Sequence, residues 1–472
     1  MNILIVEDDE NNIALFEAEL ASKCTAKFAR SRDAAIAALK TDAFDLVLLD
    51  LRLPAQDGGL DSEINHGLDV HAYIQECSSG TPVVVFSAYG TVKLATKLAE
   101  NSQRHDVWGC GQEEAMTLYR EKTDFAECLS HIQRAIDHVE ALSSVDISSG
   151  GQSLPLKNEE KRLLRIFGRL YGGTNIRVSL LGGGLSSAQT LRLELQDENA
   201  VTISKAVAKL GTIPLLRDEE ARYQKCIAPA LSVGGFAHLI KFLRAGAANT
   251  GGIFYGFAGD YQQSLLELLQ ANPAKAATVL AQLKQLEVNW QSNCSVRSAS
   301  IAEIRRALIG DEDFQNSAGR LTFDWRSLEQ RQSRFKWCCQ HRDLHGMNVL
   351  VRDGDTPLLI DYGEVEPAPA CLDPLILELS LLFHPACKAI RGPWPTLAQA
   401  TAWANLDDYL SGTPLAPFIR ESRTWAFSVE PLDKSVYATA YAYSVRQLKY
   451  ADTDHGLAIS IAKATHDAIV SN

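Results

Sequence analysis

Three aliphatic runs, ILIV at 3–6, DLVLLD at 45–50 and PVVVFSA at 82–88, most constrain how this chain can fold. Each has strand length and is apolar throughout rather than alternating, the pattern of parallel strands covered on both faces. Between them, NNIALFEAELASK and SRDAAIAALKTD carry apolar residues at helical spacing. Strand and helix in alternation predict a doubly wound sheet. In such a sheet, ligands collect outside the carboxyl ends of the strands, where strand order reverses. ILIV runs into Glu7, Asp8 and Asp9, and DLVLL ends in Asp50, so neighbouring strands would bring these acids to one rim. Unpaired, they would repel and raise one another's pKa. A divalent cation removes the conflict, and Mg2+ prefers oxygen-rich, partly hydrated sites. PVVVF delivers Ser87 to the same rim, and TLYREK can deliver Lys122.

An acidic pair after a strand, taken alone, is more simply a helix N-cap. With Asp50, Ser87 and Lys122 all in order, the set resembles the receiver domain of two-component response regulators, over residues 1–142. The resemblance implies a flavodoxin-like fold in which Asp50, in LLDLRLP, takes a phosphoryl group from a sensor histidine kinase or phosphotransfer protein. It also implies Mg2+ on Asp8, Asp9 and Asp50, with Ser87, Lys122 and Tyr119 as the switch residues. Receiver-like domains commonly pair through the face around Tyr119, so a homodimer is carried by the resemblance alone. The chain departs from the pattern twice: AQDGGLDSEINHG is a longer loop before Gly67, and Thr123 follows Lys122 where proline is usual.

A length of 472 residues predicts two or three domains. From Ser143 to Lys157, SSVDISSGGQSLPLK is rich in Ser and Gly and poor in large apolar residues, as expected of a linker. Hydrophobic residues at 46% and charged residues at 22% describe a globular chain with sizeable cores. A net charge of -12 argues against a nucleic-acid partner, which would want a basic face. No apolar run approaches the roughly 20 residues that span a bilayer, and the N-terminus lacks a signal-peptide pattern, so a cytoplasmic protein is expected. The 10 cysteines include no C-x-x-C pair, and adjacent Cys338 and Cys339 suit neither a metal corner nor an ordinary disulfide. Buried free thiols in a reducing compartment are expected.

After residue 158 the pattern changes: strand-like IRVSLLGGG, QTLRLELQ and AVTISKAVAKLG come first, then mostly helical sequence around the hairpin NVLVRDGDTPLLID. That order suggests an α+β domain over 158–472 with two lobes, about 158–258 and 259–472. In an antiparallel pair the start of the first strand lies beside the end of the second. Asn348 and Asp361 are therefore neighbours, a second hard-oxygen Mg2+ site, and Asp343 enters the same space from the preceding loop.

HRD-LHGM-N followed by DYG resembles the catalytic loop and metal motif of the protein-kinase-like fold. DLHGMN is more similar to aminoglycoside and choline phosphotransferases than to eukaryotic protein kinases. The resemblance implies a bilobal ATP- and Mg2+-dependent phosphotransferase, with Asp343 accepting the acceptor's proton and Asn348 and Asp361 on the metal. It further implies phosphate contacts from the turn LLGGGLSSAQ, through Gly182, Gly183, Gly184 and Ser186, and from Lys209, with Lys205 a poorer candidate. Glu220 or Glu219 would pair with that lysine, and Asp373 would cap a helix and brace the loop. The acceptor, a small molecule or a protein, is bound by helices that carry no readable motif.

The function expected is a response regulator whose phosphotransferase output is controlled through Asp50. The competing class is a signalling module with a nucleotide-binding, catalytically weak kinase-like domain; degraded Asp or Asn positions would favour it, and none is degraded. A DNA-binding regulator would need a basic helix-turn-helix after the linker, where the phosphotransferase pattern stands instead.

Overall fold

The computed structural model describes residues 1–88, 102–151, 154–180, 189–256, 263–352 and 354–471. They form two compact units: Met1–Arg217 with His238–Phe257, and Asp218–Ala237 with Ala258–Asn472.

In the first unit, β1 (Asn2–Val6), β2 (Thr25–Ala29), β3 (Leu46–Leu49), β4 (Val83–Ser87) and β7 (Thr117–Glu121) make a parallel sheet in the order β2-β1-β3-β4-β7. This is the flavodoxin-like order, with β7 as fifth strand. Helices on both faces explain the unbroken aliphatic runs: Ile3, Leu4 and Ile5 are fully buried, as are Leu49 and Val85. Val6 pairs with Leu49, and Leu49 with Val85, so the residues after β1, β3 and β4 leave at one edge.

Within the stretch 143–157, expected to be a linker, the described residues include a strand. Asp146–Ser148 forms β8, which joins β9 (Asn175–Leu180) in parallel with Ile147 opposite Ile176. A second sheet then runs β12-β13-β11-β10-β9-β8, with β10 at Gln189–Gln196, β11 at Thr202–Thr212, β12 at Leu239–Leu243 and β13 at Thr250–Gly256. The helix Asn158–Leu170 packs on this second sheet, against β8, β9 and β13. Its Glu160 carboxylate accepts the Lys157 N–H at 2.8 Å, fixing its start. Leu163, Leu164, Ile166 and Phe167 are all buried and form its apolar face. Phe167 stacks on Phe254 of β13, centroids 4.1 Å apart and rings 3° from parallel. The helix Phe125–Ser143, which follows β7, packs against Asn158–Leu170. One hydrophobic cluster therefore runs from Ile3, Phe16 and Phe86 through Ile132 and Leu163 to Leu193 and Phe254.

Two excursions strengthen this junction. Residues 104–116 carry the small hairpin of β5 (Arg104–His105) and β6 (Glu114–Ala115) and bury Trp108, which stacks on His138 at 5.9 Å. Gly109 has φ +64, and a Cβ there would sit 2.4 Å from the Ile166 carbonyl oxygen, so glycine is required twice over. Arg169 donates to the carbonyls of Trp108 and His138. At the other end, the Gly80 N–H donates to Ala248 O at 2.8 Å and the Gly246 N–H to Gly80 O at 2.7 Å. Arg162 pairs with Asp45 at 2.8 Å.

In the second unit, β15 (Ser295–Ser300), β16 (Gln332–Gln340) and β19 (Glu366–Pro369) form one sheet, and β14 (Gln263–Ser264), β17 (Val349–Arg352) and β18 (Thr356–Leu359) another. The helices include Pro273–Leu286, Leu372–Phe383, Ala416–Val429, Asp433–Arg446 and His455–Ser471. Leu372–Phe383 is buried along its whole length, so its one mid-helix acid needs partners. Glu378 accepts from Arg423 Nε and Trp403 Nε1, each at 2.7 Å, and the guanidinium lies 3.7 Å over the Trp403 ring. No described helix is long and apolar enough to cross a membrane.

Candidate functional site

The strand edge of the first sheet gathers one constellation. Asp50 is 4% exposed and Glu7 2% exposed, while Ser87 is fully buried. Ser87 Oγ donates to Asp50 Oδ1 at 2.7 Å, and the Arg52 backbone N–H reaches the same oxygen at 3.2 Å. Lys122 Nζ bridges Asp50 Oδ2 at 2.6 Å and Glu7 at 2.8 Å. Tyr119 Oη donates to the Ser87 carbonyl at 3.2 Å. Parallel pairing explains the convergence, since Ser87 stands opposite Glu121 and Lys122 is the next residue.

The charges do not balance. Burial raises the Glu7 pKa, with Asp50 adding to it and the Lys122 ammonium only partly opposing it. Burial alone would lower the Lys122 pKa, but hydrogen bonds from it to Asp50 and Glu7 win and raise it. One ammonium thus serves two buried carboxylates, with Asp8 beside them. Ligand oxygens of Glu7, Asp8 and Asp50 all lie within 4.8 Å of one another. That surplus of negative hard oxygen fits Mg2+, which would supply the missing charge and orient a phosphoryl group.

Asp9, expected in the metal set, is instead the N-cap of the helix Glu10–Leu20: its carboxylate accepts from the Asn11 and Asn12 N–H groups at 2.8 and 3.2 Å. Glu7 takes the buried place. The long loop after β3 also contributes, because Ser62 Oγ donates to Asp8 Oδ2 at 3.2 Å. Only the loop's anomalous length hinted at Ser62.

A second constellation lies within the second unit, at the loop between β16 and β17. Asp373 is fully buried and accepts the His341 and Arg342 N–H groups at 2.6 and 2.8 Å, while its own N–H donates to the Gln340 side chain at 3.1 Å. His341 Nε2 faces the Ile360 carbonyl at 3.0 Å. Asn348 Nδ2 donates to Asp343 O at 2.8 Å and to Asp343 Oδ2 at 3.3 Å, leaving Oδ1 as the atom it can offer a cation. The Ile360 N–H donates to Asn348 O at 3.1 Å, which sets Asp361 beside the loop. Arg342 and Asp361 both have φ +64, a conformation costly for non-glycine residues and concentrated at functional sites. Tyr362 is fully buried, its hydroxyl donating to Leu359 O at 2.6 Å and accepting the Ala237 N–H at 2.7 Å.

Asp343 keeps 43% of its side chain open, yet surrounding protein displaces enough water to push its pKa to about 6. His341 and Arg446 oppose that rise, and Asp361 and Glu364 add to it. Burial lowers the His345 pKa to about 4, so its imidazole is neutral. Its Nδ1 accepts the Met347 N–H at 3.3 Å, which puts the ring proton on Nε2, 3.6 Å from Asp343 Oδ2. A carboxylate titrating close to neutrality beside two hard-oxygen groups can accept a proton while a cation is held next to it.

In the first unit, Lys209 is 6% exposed on β11, between Thr190 and Ile253, whereas Lys205 is more open. Glu219 is buried and Glu220 half-buried, both on the helix Ile213–Arg222. Gly182, Gly183, Gly184 and Ser186 lie outside the described residues.

A five-stranded flavodoxin-like sheet with a buried acid and hydroxyl and a half-buried lysine at its rim is the arrangement of a receiver domain. The response regulator receiver domain family matches residues 3–105, and that part of the chain is such a domain. Response regulator protein PilR of Pseudomonas aeruginosa is 25% identical over 312 residues, 64% of this chain; the match spans 62% of that relative's length. A receiver domain protein from Methanospirillum hungatei is 18% identical, with TM-score 0.23 over 30% of this chain and 96% of its own. The receiver of sensor histidine kinase PA1611 from Pseudomonas aeruginosa, solved with magnesium in its active-site cleft, is 24% identical, with TM-score 0.21 over 29% of this chain and 97% of its own.

Proposed function

We propose that this response regulator carries, as its output, an ATP- and Mg2+-dependent phosphotransferase of protein-kinase-like fold acting on an acceptor hydroxyl under control of Asp50. The observation that carries the reading is the Asp343, Asn348 and Asp361 cluster, with its loop clamped from beneath by Asp373. Asn348 Oδ1 and the Asp361 carboxylate would hold the metal, whose charge would neutralise the nucleotide phosphates. Asp343 would take the acceptor's proton as its oxygen bonds to the γ-phosphorus and ADP leaves. Asn348 Nδ2 orients Asp343 through Oδ2, and His345, its pKa lowered by burial, would not compete for the proton. By the resemblance, phosphate roles fall to Lys209 and to Gly182, Gly183, Gly184 and Ser186. The acceptor is a small molecule or protein bearing a hydroxyl.

Thermal shift of the full chain tests the reading. ATP should raise the melting temperature only with divalent metal, and Asp361→Asn should abolish the rise, since a ligand selective for the folded state stabilises it. No response at millimolar ATP sinks it; a response without turnover on any acceptor supports a nucleotide-binding signalling module instead.

A further inference from the structure

Four of the cysteines that this chemistry leaves unused face one another in two pairs. Cys338 and Cys339 are consecutive on β16, so their side chains leave opposite faces of the strand. Cys338 shares a hydrogen bond with Cys294. On the other face, Cys339 Sγ lies 2.8 Å from Sγ of Cys226, which sits on the π turn Tyr223–Ile227. Both backbones are held. The Cys226 carbonyl accepts from Nε1 of buried Trp290 at 2.7 Å, and the Cys339 carbonyl accepts from the Gln340 amide at 2.9 Å. Closing the sulfurs to the bonded separation of ~2.05 Å needs a movement of under about 1 Å.

We propose that Cys226 and Cys339 are a redox-modification site, forming a reversible disulfide at the root of the His341–Asn348 loop. The order of events follows from access and charge. Cys226 is 2% exposed and Cys339 is half-buried, so Cys339 meets the oxidant. The hydrogen bond from Cys226, helped by Lys225, pulls the Cys339 pKa down to about 7 against burial, giving an appreciable thiolate fraction. With a peroxide as oxidant, the Cys339 sulfur attacks one oxygen, the O–O bond breaks, and the leaving hydroxide is protonated to water. The resulting sulfenic acid is attacked by the Cys226 sulfur: the S–S bond forms, the S–O bond breaks, and a second water leaves with the Cys226 proton. Two thiols lose two electrons and two protons, and one peroxide becomes two waters. A dithiol reverses the bond by exchange. The cross-link would tie the π turn to β16, which after Gln340 becomes the loop carrying Asp343 and Asn348. The site stands on sulfur geometry and does not depend on the phosphotransferase reading.

Full-length protein treated with limiting hydrogen peroxide, alkylated and digested without reductant is the test. Mass spectrometry should find one peptide pair joining Cys226 and Cys339, lighter by two hydrogens and released by dithiothreitol. Alkylation of Cys339 should fall about tenfold or more and recover on reduction. In Cys226→Ser, Cys339 should instead stop at the sulfenic acid, trapped by dimedone. The proposal is overturned if both cysteines stay alkylatable while exposed Cys77 oxidises, or if Cys339 pairs elsewhere or goes directly to sulfinic acid. These readouts on the wild-type chain decide it even if the variant fails to fold.

Discussion

Replacing Phe167 tests whether the receiver and the second sheet of the first unit are one cooperative structure. Phe167 is 1% exposed, stacked on Phe254 at 4.1 Å and tilted against Tyr171 at 4.8 Å. Truncating a ring so placed to alanine costs about 3–5 kcal/mol from lost transfer energy and the cavity left behind. At 1.4 kcal/mol per power of ten, that raises the opening equilibrium by roughly two to three and a half powers of ten. Because Phe167 shares its cluster with Ile3 and Leu48, the loss should reach the receiver strands and not only the sheet it touches. Hydrogen exchange read by mass spectrometry should show protection falling by similar factors in peptides from β1, β3, β10 and β11. Peptides of the second unit serve as the control. Phe167→Leu, a milder change of roughly 1 kcal/mol, should reproduce the pattern at smaller amplitude. A fall confined to β9–β13 with β1 and β3 unchanged would refute the shared core.

Further outcomes follow from the same geometry. Gly80→Ala places a Cβ 2.5 Å from the Ala248 carbonyl oxygen and should cost about 1–3 kcal/mol through overpacking, read as a lower denaturant midpoint; an unchanged midpoint removes that contact from the junction. Asp50→Asn should take up no phosphoryl group from an acyl phosphate donor in phosphate-affinity electrophoresis, and a persisting shifted band would place the acceptor elsewhere. With the Asp343 pKa raised to about 6, transfer to an acceptor should rise as pH passes through about 6 and then level; Asp343→Asn should lose that limb and roughly 10²–10⁴-fold in rate. The raised pKa also means the folded chain holds that proton more tightly than the unfolded one. Its contribution to stability is therefore lost as pH rises from the usual carboxylate range through about 6, and Asp343→Asn should flatten this slope in pH-dependent denaturation.

Strands β1, β3 and β4 of the receiver were legible because burial on both faces writes continuous aliphatic runs, and Asp50 and Ser87 because each ends such a run. Lys122 follows TLYRE, which is no such run, and was placed by its order with the other residues. The choice between Glu7 and Asp9 was not, since it turns on the backbone of one residue: Asp9 at φ -79 and ψ 116 adopts the extended geometry of an N-cap. Strand β8 was hidden by its Ser- and Gly-rich surroundings. Its apolar content is little more than Val145 and Ile147, and pairing with β9 makes it a strand. The hairpin of β17 and β18 and the acids around it could be read locally, because antiparallel pairing relates near neighbours in sequence. Partners such as Cys226 and Cys339, far apart in the chain, leave no local periodicity to read.

Strand β8 and the core shared by the two sheets of the first unit bear on what a phosphoryl group at Asp50 would have to move. Ser87 and Lys122 both hydrogen-bond that carboxylate, and each adjoins an aromatic residue of the core: Phe86 precedes Ser87, and Phe125 opens the helix that follows Lys122. Phe86 and Phe125 lie 6.2 Å apart and both pack on Phe16. A phosphoryl group that drew Ser87 and Lys122 toward itself would therefore pull on the start of Phe125–Ser143. That helix packs on Asn158–Leu170, and Phe167 passes the contact to β13 through Phe254. Close-packed cores shift between discrete arrangements rather than deforming smoothly, so a small displacement at the rim is conserved along such a stack. A coupling of about 1–3 kcal/mol, enough for a 5- to 150-fold regulatory effect, is comparable to the repacking of a single ring in it. A loose linker would instead have transmitted only proximity, and the buried Trp108, the Gly80 contacts and strand β8 all act against that freedom.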